Sequence, residues 1–344
     1  MSASVAIGRL ARSLLAGLMA GLAAGLAAFG LGASAQSLPL AEPSSGNRFT
    51  ELANTAGSGA VLVRGALRSP ARWRVLLVPG SGCASLAPSA DRLASGLRQA
   101  QVVLLQKPHL SEQAVDAHSP CTPAFLHADN LIDWQRRALR LAAVGLASTD
   151  PELPLVLVGL SEGAELLPGL VHAWPEAAAL VMVGHAGLDP WQAGRLQAEH
   201  LGLGAAWRAL ADATTQVRSD DAILEGRHWR YWQALQRWPL MAPLLSDPRP
   251  LLHAWGGLDR LMPPVAYQLF SQQAGLRAGG YCALTFSQAD HELRTPGSDR
   301  LQQVWRWLDQ AAPTLSMPNA VQPARQAVDW LAGCAAWQAG AAVP

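Results

Sequence analysis

Lysine occurs once in the 344 residues, at Lys107, and every other cationic side chain is arginine. On its own, the lone lysine reads as a mark of genome composition. Charge of both signs is sparse, 15% of residues, and it balances to a formal net charge of +1. A near-neutral chain offers no electrostatic case for nucleic acid, whose binding rests on neutralising phosphates. The four cysteines include no C-x-x-C pair, so a zinc site or a dithiol redox motif is poorly supported. The G-x-x-x-x-G-K loop and the spaced G-x-G-x-x-G of nucleotide sites are also missing. No cofactor and no metal are implied. What the chain has in quantity is hydrophobic residues, 50% of the total. That is enough for a large buried core, and it excludes an intrinsically disordered chain.

Residues 1–35 read as a signal peptide. Arg9 and Arg12 form a positive start, Leu14 to Leu31 is uncharged, and Ala33-Ser34-Ala35 is a small-x-small cleavage sequence before Gln36. The apolar run is long enough to compete as an N-terminal membrane anchor, but its Ala and Gly content makes a weak span. Cleavage is the expectation, leaving 24 basic against 25 acidic residues. The mature chain is then exported, periplasmic or secreted, without stable membrane association. Cysteine usage agrees, because an even number in an oxidising compartment suggests disulfides. Of the three possible pairings, the expected one is Cys83–Cys121 and Cys282–Cys334. The first joins two loops that leave neighbouring strand ends, and the second clips the C-terminal tail to the last strand.

The chain is organised around Leu155-Val156-Leu157-Val158, an apolar run with the length and branching of a buried central strand. It stops at Gly159-Leu160-Ser161-Glu162-Gly163, and a helical pattern follows. A serine on so sharp a strand-to-helix turn needs small neighbours, because larger ones collide with the adjoining strand or helix. Its hydroxyl then stands above the sheet, and the amide of Glu162 faces a developing oxyanion. Further apolar runs at 60–63, 73–78, 102–105, 179–183, 251–255 and 281–286 read as strands. Helical patterns between them imply a mostly parallel sheet with helices on both faces. An amphipathic helix is expected over 89–97 and another from about Leu131, capped by Asp129. Residues 188–248 differ: Trp191, Trp207, Trp229, Trp232 and Trp238 crowd helical-looking sequence without a convincing strand, placed to roof a cleft.

Acyl transfer requires a nucleophile, a base, an acid to orient that base, and donors for the oxyanion. With Ser161 as nucleophile, Asp259 follows one later strand, in Gly256-Gly257-Leu258-Asp259, and His291 follows the last, in Ala289-Asp290-His291-Glu292. Asp189 competes with Asp259 as the acid, since it also follows a strand end. The loop Pro79-Gly80-Ser81-Gly82 ends another strand and leaves amides free to face a substrate oxygen.

In these residues, and in their order Ser161, Asp259, His291, the sequence resembles the α/β-hydrolase superfamily over residues 60 to 310. The resemblance implies an α/β fold with a mostly parallel central sheet and a helical cap insertion. It implies that Ser161 is the nucleophile, His291 the general base and acid, and Asp259 its orienting partner. The second oxyanion donor falls on Ser81, beside Glu162, although Pro79 stands where the family usually has histidine. His109 and His185 are candidate substrate contacts. The expected organisation is a lead-in over 36–58, a hydrolase core over 59–187 and 249–312, a cap over 188–248 and a tail with one helix over 313–344. The expected activity is that of a serine carboxylesterase on a small-molecule ester. Peptide or amide hydrolysis, or a non-catalytic binding protein on the same fold, are the alternatives.

Overall fold

The computed structural model describes residues 48–55, 59–110, 121–216, 218–312 and 334. The proposed signal peptide and nearly all of the C-terminal tail lie outside the described residues. Eight strands form one sheet: β1 Thr50–Thr55, β2 Gly59–Arg64, β3 Trp73–Val78, β4 Ala100–Gln106, β5 Leu155–Leu160, β6 Ala179–Val183, β9 Leu251–Gly256 and β10 Tyr281–Phe286. Their order is β1-β2-β4-β3-β5-β6-β9-β10. The pairs β1–β2 and β2–β4 are antiparallel, and from β4 to β10 every pair is parallel. Two-residue strands make two hairpins, β7 Ile223–Leu224 with β8 Arg227–His228, and β11 Arg294–Thr295 with β12 Ser298–Asp299.

Alternation along each strand sends side chains to opposite faces. Leu155 and Leu157 of β5 join Leu76, Leu180 and Met182 on one face, while Val156 and Val158 join Val75, Leu77 and Val181 on the other. Both faces are covered, which is why these strands are apolar throughout rather than alternating. The first face packs under α3 Leu131–Leu146, α4 Leu167–Ala173 and α9 Pro264–Ala274, the second against the short α1 Ala90–Leu93 and against α10 Leu301–Ala311. On α3, Leu131, Trp134, Ala138, Leu141 and Ala142 form one buried stripe at helical spacing.

Several elements depart from the sequence reading. Thr50–Thr55, within the expected lead-in, is an edge strand paired with β2. The expected helix over 89–97 shrinks to Ala90–Leu93, because Gly96 lies tight against the backbone of Gln302 and the side chain of Trp305 on α10. After Ser161 the chain makes a 3-10 turn, Ser161–Leu166, before α4 begins. Pro168 lacks the N–H that would close an α-helical bond back to Ala164. Asn130, not Asp129, caps α3: its side-chain oxygen accepts from the N–H of Asp133 at 3.0 Å. Asp129 and α2 Pro123–Ala128 precede it.

Between β6 and β9 the chain is mainly helical, with α5 Pro190–His200, α6 Gly204–Ala213, α7 Trp229–Arg237 and α8 Met241–Ser246. Trp207, Trp229, Tyr231 and Trp232 make a small apolar core of their own there. No helix of the described residues is long and apolar enough to cross a membrane. Cys83 is bonded to Cys121 and Cys282 to Cys334, with Cα separations of 5.6 and 6.0 Å.

Candidate active site

Parallel strands all deliver their carboxyl ends to one edge of the sheet, where α/β folds carry their ligands. Ser161 follows β5, Asp259 and His291 follow β9 and β10, Ser81 follows β3, His185 follows β6 and Lys107 follows β4. Ser161 takes a left-handed conformation, φ +49°. A side-chain-bearing residue is held there only when its surroundings leave no alternative. The surroundings are close: a Cβ on Gly163 would stand 2.3 Å from the carbonyl oxygen of Val78, and one on Gly80 would stand 3.0 Å from Cβ of Ser161. The turn bearing Ser161 and the loop bearing Ser81 are therefore packed backbone to backbone.

Ser161 Oγ lies 3.0 Å from Nε2 of His291, and His291 Nδ1–H donates to Oδ2 of Asp259 at 2.8 Å. The Asp259 carboxylate fixes the tautomer, since an acceptor at Nδ1 puts the proton there and leaves Nε2 free to accept from the serine. Asp259 is itself anchored. Oδ1 accepts from the N–H groups of Leu261 and Met262 at 2.8 and 3.0 Å, and the Tyr267 hydroxyl donates to Oδ2 at 2.6 Å. Burial works to raise its pKa, but the bonds from His291, Tyr267 and Met262 outweigh burial and hold the carboxyl below its ordinary value. Burial likewise works to lower His291, and Asp259 reverses it, so the imidazole titrates above its ordinary value. Asp189 is elsewhere: its Oδ1 accepts from the N–H groups of Leu240 and Met241 and ties down the start of α8.

Beside Ser161 and His291 opens a cavity lined also by Ser81, Glu162 and His185. His109 is exposed in the loop after β4 and does not line it. His185 is buried and uncharged, its pKa pushed down to about 3 by burial and then by the imidazoles of His253 and His291. Its Nδ1 accepts the N–H of Gly187 at 2.9 Å. His253, also depressed by burial, to about 4, donates from Nε2 to the His185 carbonyl at 2.6 Å and accepts from Tyr281 at Nδ1.

Sequence reasoning missed the polar layer beneath the cavity. Lys107 Nζ donates to Glu162 and, at 2.9 Å, to Oδ1 of Asp129, while Arg227 pairs with the other oxygen of Asp129. Burial works to lower the Lys107 pKa, and the two carboxylates more than reverse it, so the ammonium is firmly charged. Asp129, similarly buried, is held below its ordinary value by Lys107 and Arg227. The residue that follows the serine is thus tethered to the lone lysine of the chain. The signal was available in retrospect, because Lys107 is a charge set two residues after the apolar run Val102–Leu105.

Comparison with solved structures identifies the architecture. A soluble variant of monoglyceride lipase from Saccharomyces cerevisiae, in complex with a substrate analogue, superposes with a TM-score of 0.55 at 14% identity, covering 82% of this chain and 99% of that one. Est1E from Butyrivibrio proteoclasticus gives a TM-score of 0.52 at 14% identity, covering 76% and 96%. The chain has the α/β-hydrolase fold. No family model and no curated protein matches the sequence. The structural neighbours are similar in fold alone, so the chemistry of this α/β-hydrolase-fold protein is argued from its own residues.

Proposed function

We propose that the protein is an exported serine hydrolase, a carboxylesterase-type enzyme that works through an acyl-enzyme on Ser161. The observation that carries this reading is the unbroken chain Ser161 Oγ, His291 Nε2, His291 Nδ1 and Asp259 Oδ2, with links of 3.0 and 2.8 Å. Ser161 attacks the substrate carbonyl as its proton passes to His291 Nε2. The imidazolium, stabilised by Asp259, returns that proton to the departing alcohol, and water repeats the sequence to release the acid. The negative charge on the carbonyl oxygen falls to backbone amides, those of Glu162 and Ser81, which need no reorganisation during the reaction. Esters are assayed before amides, a monoglyceride lipase being among the proteins that share the fold. Export is supported by the two disulfides and by the cationic-apolar-small pattern of residues 1–35.

Fluorophosphonate labelling tests the nucleophile: the wild-type protein labels and Ser161→Ala does not. A panel of p-nitrophenyl esters and aminoacyl-arylamides then tests the bond cleaved. Labelling that survives in Ser161→Ala refutes the nucleophile, and arylamides hydrolysed faster than every ester refute the carboxylesterase assignment. N-terminal sequencing of the protein from its host tests processing after Ala35.

A further inference from the structure

The cavity beside Ser161 runs away from the triad, between the Ser161–Leu166 turn and the helices that follow β6. From α5 it is lined by Pro190, Ala193, Gly194 and Gln197, the i, i+3, i+4 and i+7 positions of one helical face. The three small residues clear space, and Gln197 stands a turn further on. Trp207 closes the wall behind Gly194, where a Cβ would come within 2.5 Å of the indole. Tyr231 and Leu235 of α7 complete it. About 70 Å³ remains for the centres of water-sized groups, room for a small chain rather than a bulky one.

Two side chains in this wall have buried polar atoms with no partner, Glu165 Oε2 and Gln197 Nε2, and each residue is only 6% exposed. Leaving a buried polar group unpaired costs about 1–3 kcal/mol, so such atoms call for an explanation. The neighbouring groups are occupied. His185 Nδ1 accepts the Gly187 N–H, its Nε2 lies 3.4 Å from Glu165 Oε1, and the Glu162 carboxylate is held by Lys107. Burial, and then the charge of Glu162, raises the Glu165 pKa well above its ordinary value. Both residues line the cavity, so its unpaired polar groups are a carboxyl whose charged form is disfavoured and an uncharged carboxamide. Glu165 lies four residues beyond Ser161 on the same 3-10 turn, and both residues border the one cavity.

We propose that the cavity is an acyl-binding subsite for chains bearing an uncharged oxygen, a hydroxyl or ether, held by Glu165 and Gln197. The proposal rests on the acyl-hydrolase reading of Ser161 and deepens it. It is tested with matched pairs in which the oxygen is exchanged for carbon at constant size. These are p-nitrophenyl 3-hydroxybutyrate against 3-methylbutyrate, and methoxyacetate against butyrate, each corrected for its uncatalysed hydrolysis. The wild-type protein should favour the oxygenated ester in at least one pair by about tenfold in kcat/KM. Gln197→Met and Glu165→Leu should each erase most of that preference, lowering the oxygenated ester more than its partner. A merely structural role lowers both esters alike, and that result, or a wild-type protein indifferent to the oxygen in both pairs, overturns the subsite. Absence of any turnover refutes the hydrolase reading separately. The subsite is then decided by Ser161→Ala protein titrated by NMR with methyl 3-hydroxybutyrate and methyl 3-methylbutyrate. Tighter binding of the hydroxy ester, reduced in Gln197→Met, supports it, and equal or weaker binding overturns it.

Discussion

Replacing Lys107 by Met removes a charge and keeps most of the side-chain volume, which makes it a sharp test of the layer beneath Ser161. The Lys107 and Asp129 side chains are each 3% exposed and that of Glu162 is 15% exposed. Lys107 and Arg227 balance Asp129 and Glu162 one for one, so the substitution leaves one uncompensated buried negative charge. Asp129 keeps Arg227, whereas Glu162 loses the cation that holds it. Breaking a buried pair by removing one partner costs about 3–5 kcal/mol. For a domain of this size, at about 2–4 °C per kcal/mol, Tm should fall by roughly 6–20 °C. Turnover should fall too, because Glu162 adjoins the proposed nucleophile and its amide is the proposed oxyanion donor. Outright loss of such a donor costs about 10²–10³ in kcat, which is the ceiling for an indirect displacement. Calorimetric melts at low and high salt, with p-nitrophenyl ester turnover, read both quantities. The stability loss should persist in high salt, since buried pairs are screened far less than surface ones. Lys107→Met combined with Glu162→Gln removes the orphaned charge and should recover a substantial part of both losses. A Lys107→Met protein that melts within about 2 °C of wild type and turns over normally would refute the reasoning.

Three further outcomes follow from the same geometry. Asp259→Asn should lower turnover about ten-thousand-fold. The carboxamide oxygen would stay with the Leu261 and Met262 N–H groups, so the NH₂ would face His291 Nδ1 and drive the imidazole proton onto Nε2; Asp189→Asn still accepts at α8 and should stay within a few-fold of wild type. Activity should fall on the acid side as His291 takes up a proton. Because that pKa is raised by Asp259, the limb in kcat/KM should lie above the ordinary imidazole value of about 6.5, and a limb well below it contradicts the pairing. Reducing the Cys83–Cys121 bond, which closes a 38-residue separation, should cost about 3–4 kcal/mol in thermal melts and lower kcat more than it raises KM; a free Cys83 thiol on non-reducing peptide mapping contradicts the bond.

The parallel part of the sheet was legible because its strands are buried on both faces and therefore read as continuous apolar runs. The edge strand Thr50–Thr55 was not, because it is exposed over Thr50, Glu51 and Leu52 and shows no such run. The turn at Ser161 could be read because its pattern is local: small residues at 159 and 163 around a serine between strand and helix. Lys107 was missed for the opposite reason. It matters through partners far off in the chain, Asp129 and Glu162, which are 22 and 55 residues away. Asp129 was misjudged on the same ground. A cap preference is a local rule, and a buried ion pair formed across 98 residues with Arg227 outweighs it when Asn130 is available to cap.

The backbone contact between Gly163 and the end of β3, and between Gly80 and Ser161, has an evolutionary corollary. A Cβ at Gly163 would stand 2.3 Å from a backbone oxygen, so saturation mutagenesis should find that position closed even to alanine, whereas Gly80 is merely tight against Ser161. On the walls supplied by α5 and α7, Gly194 is closed in the same way by Trp207, whereas Ala193, Gln197 and Leu235 border the cavity. The molecule thus divides its tolerance for change. The turn and loop beside Ser161 are fixed by close approach at the sheet edge, whereas the far wall of the cavity is carried on helices.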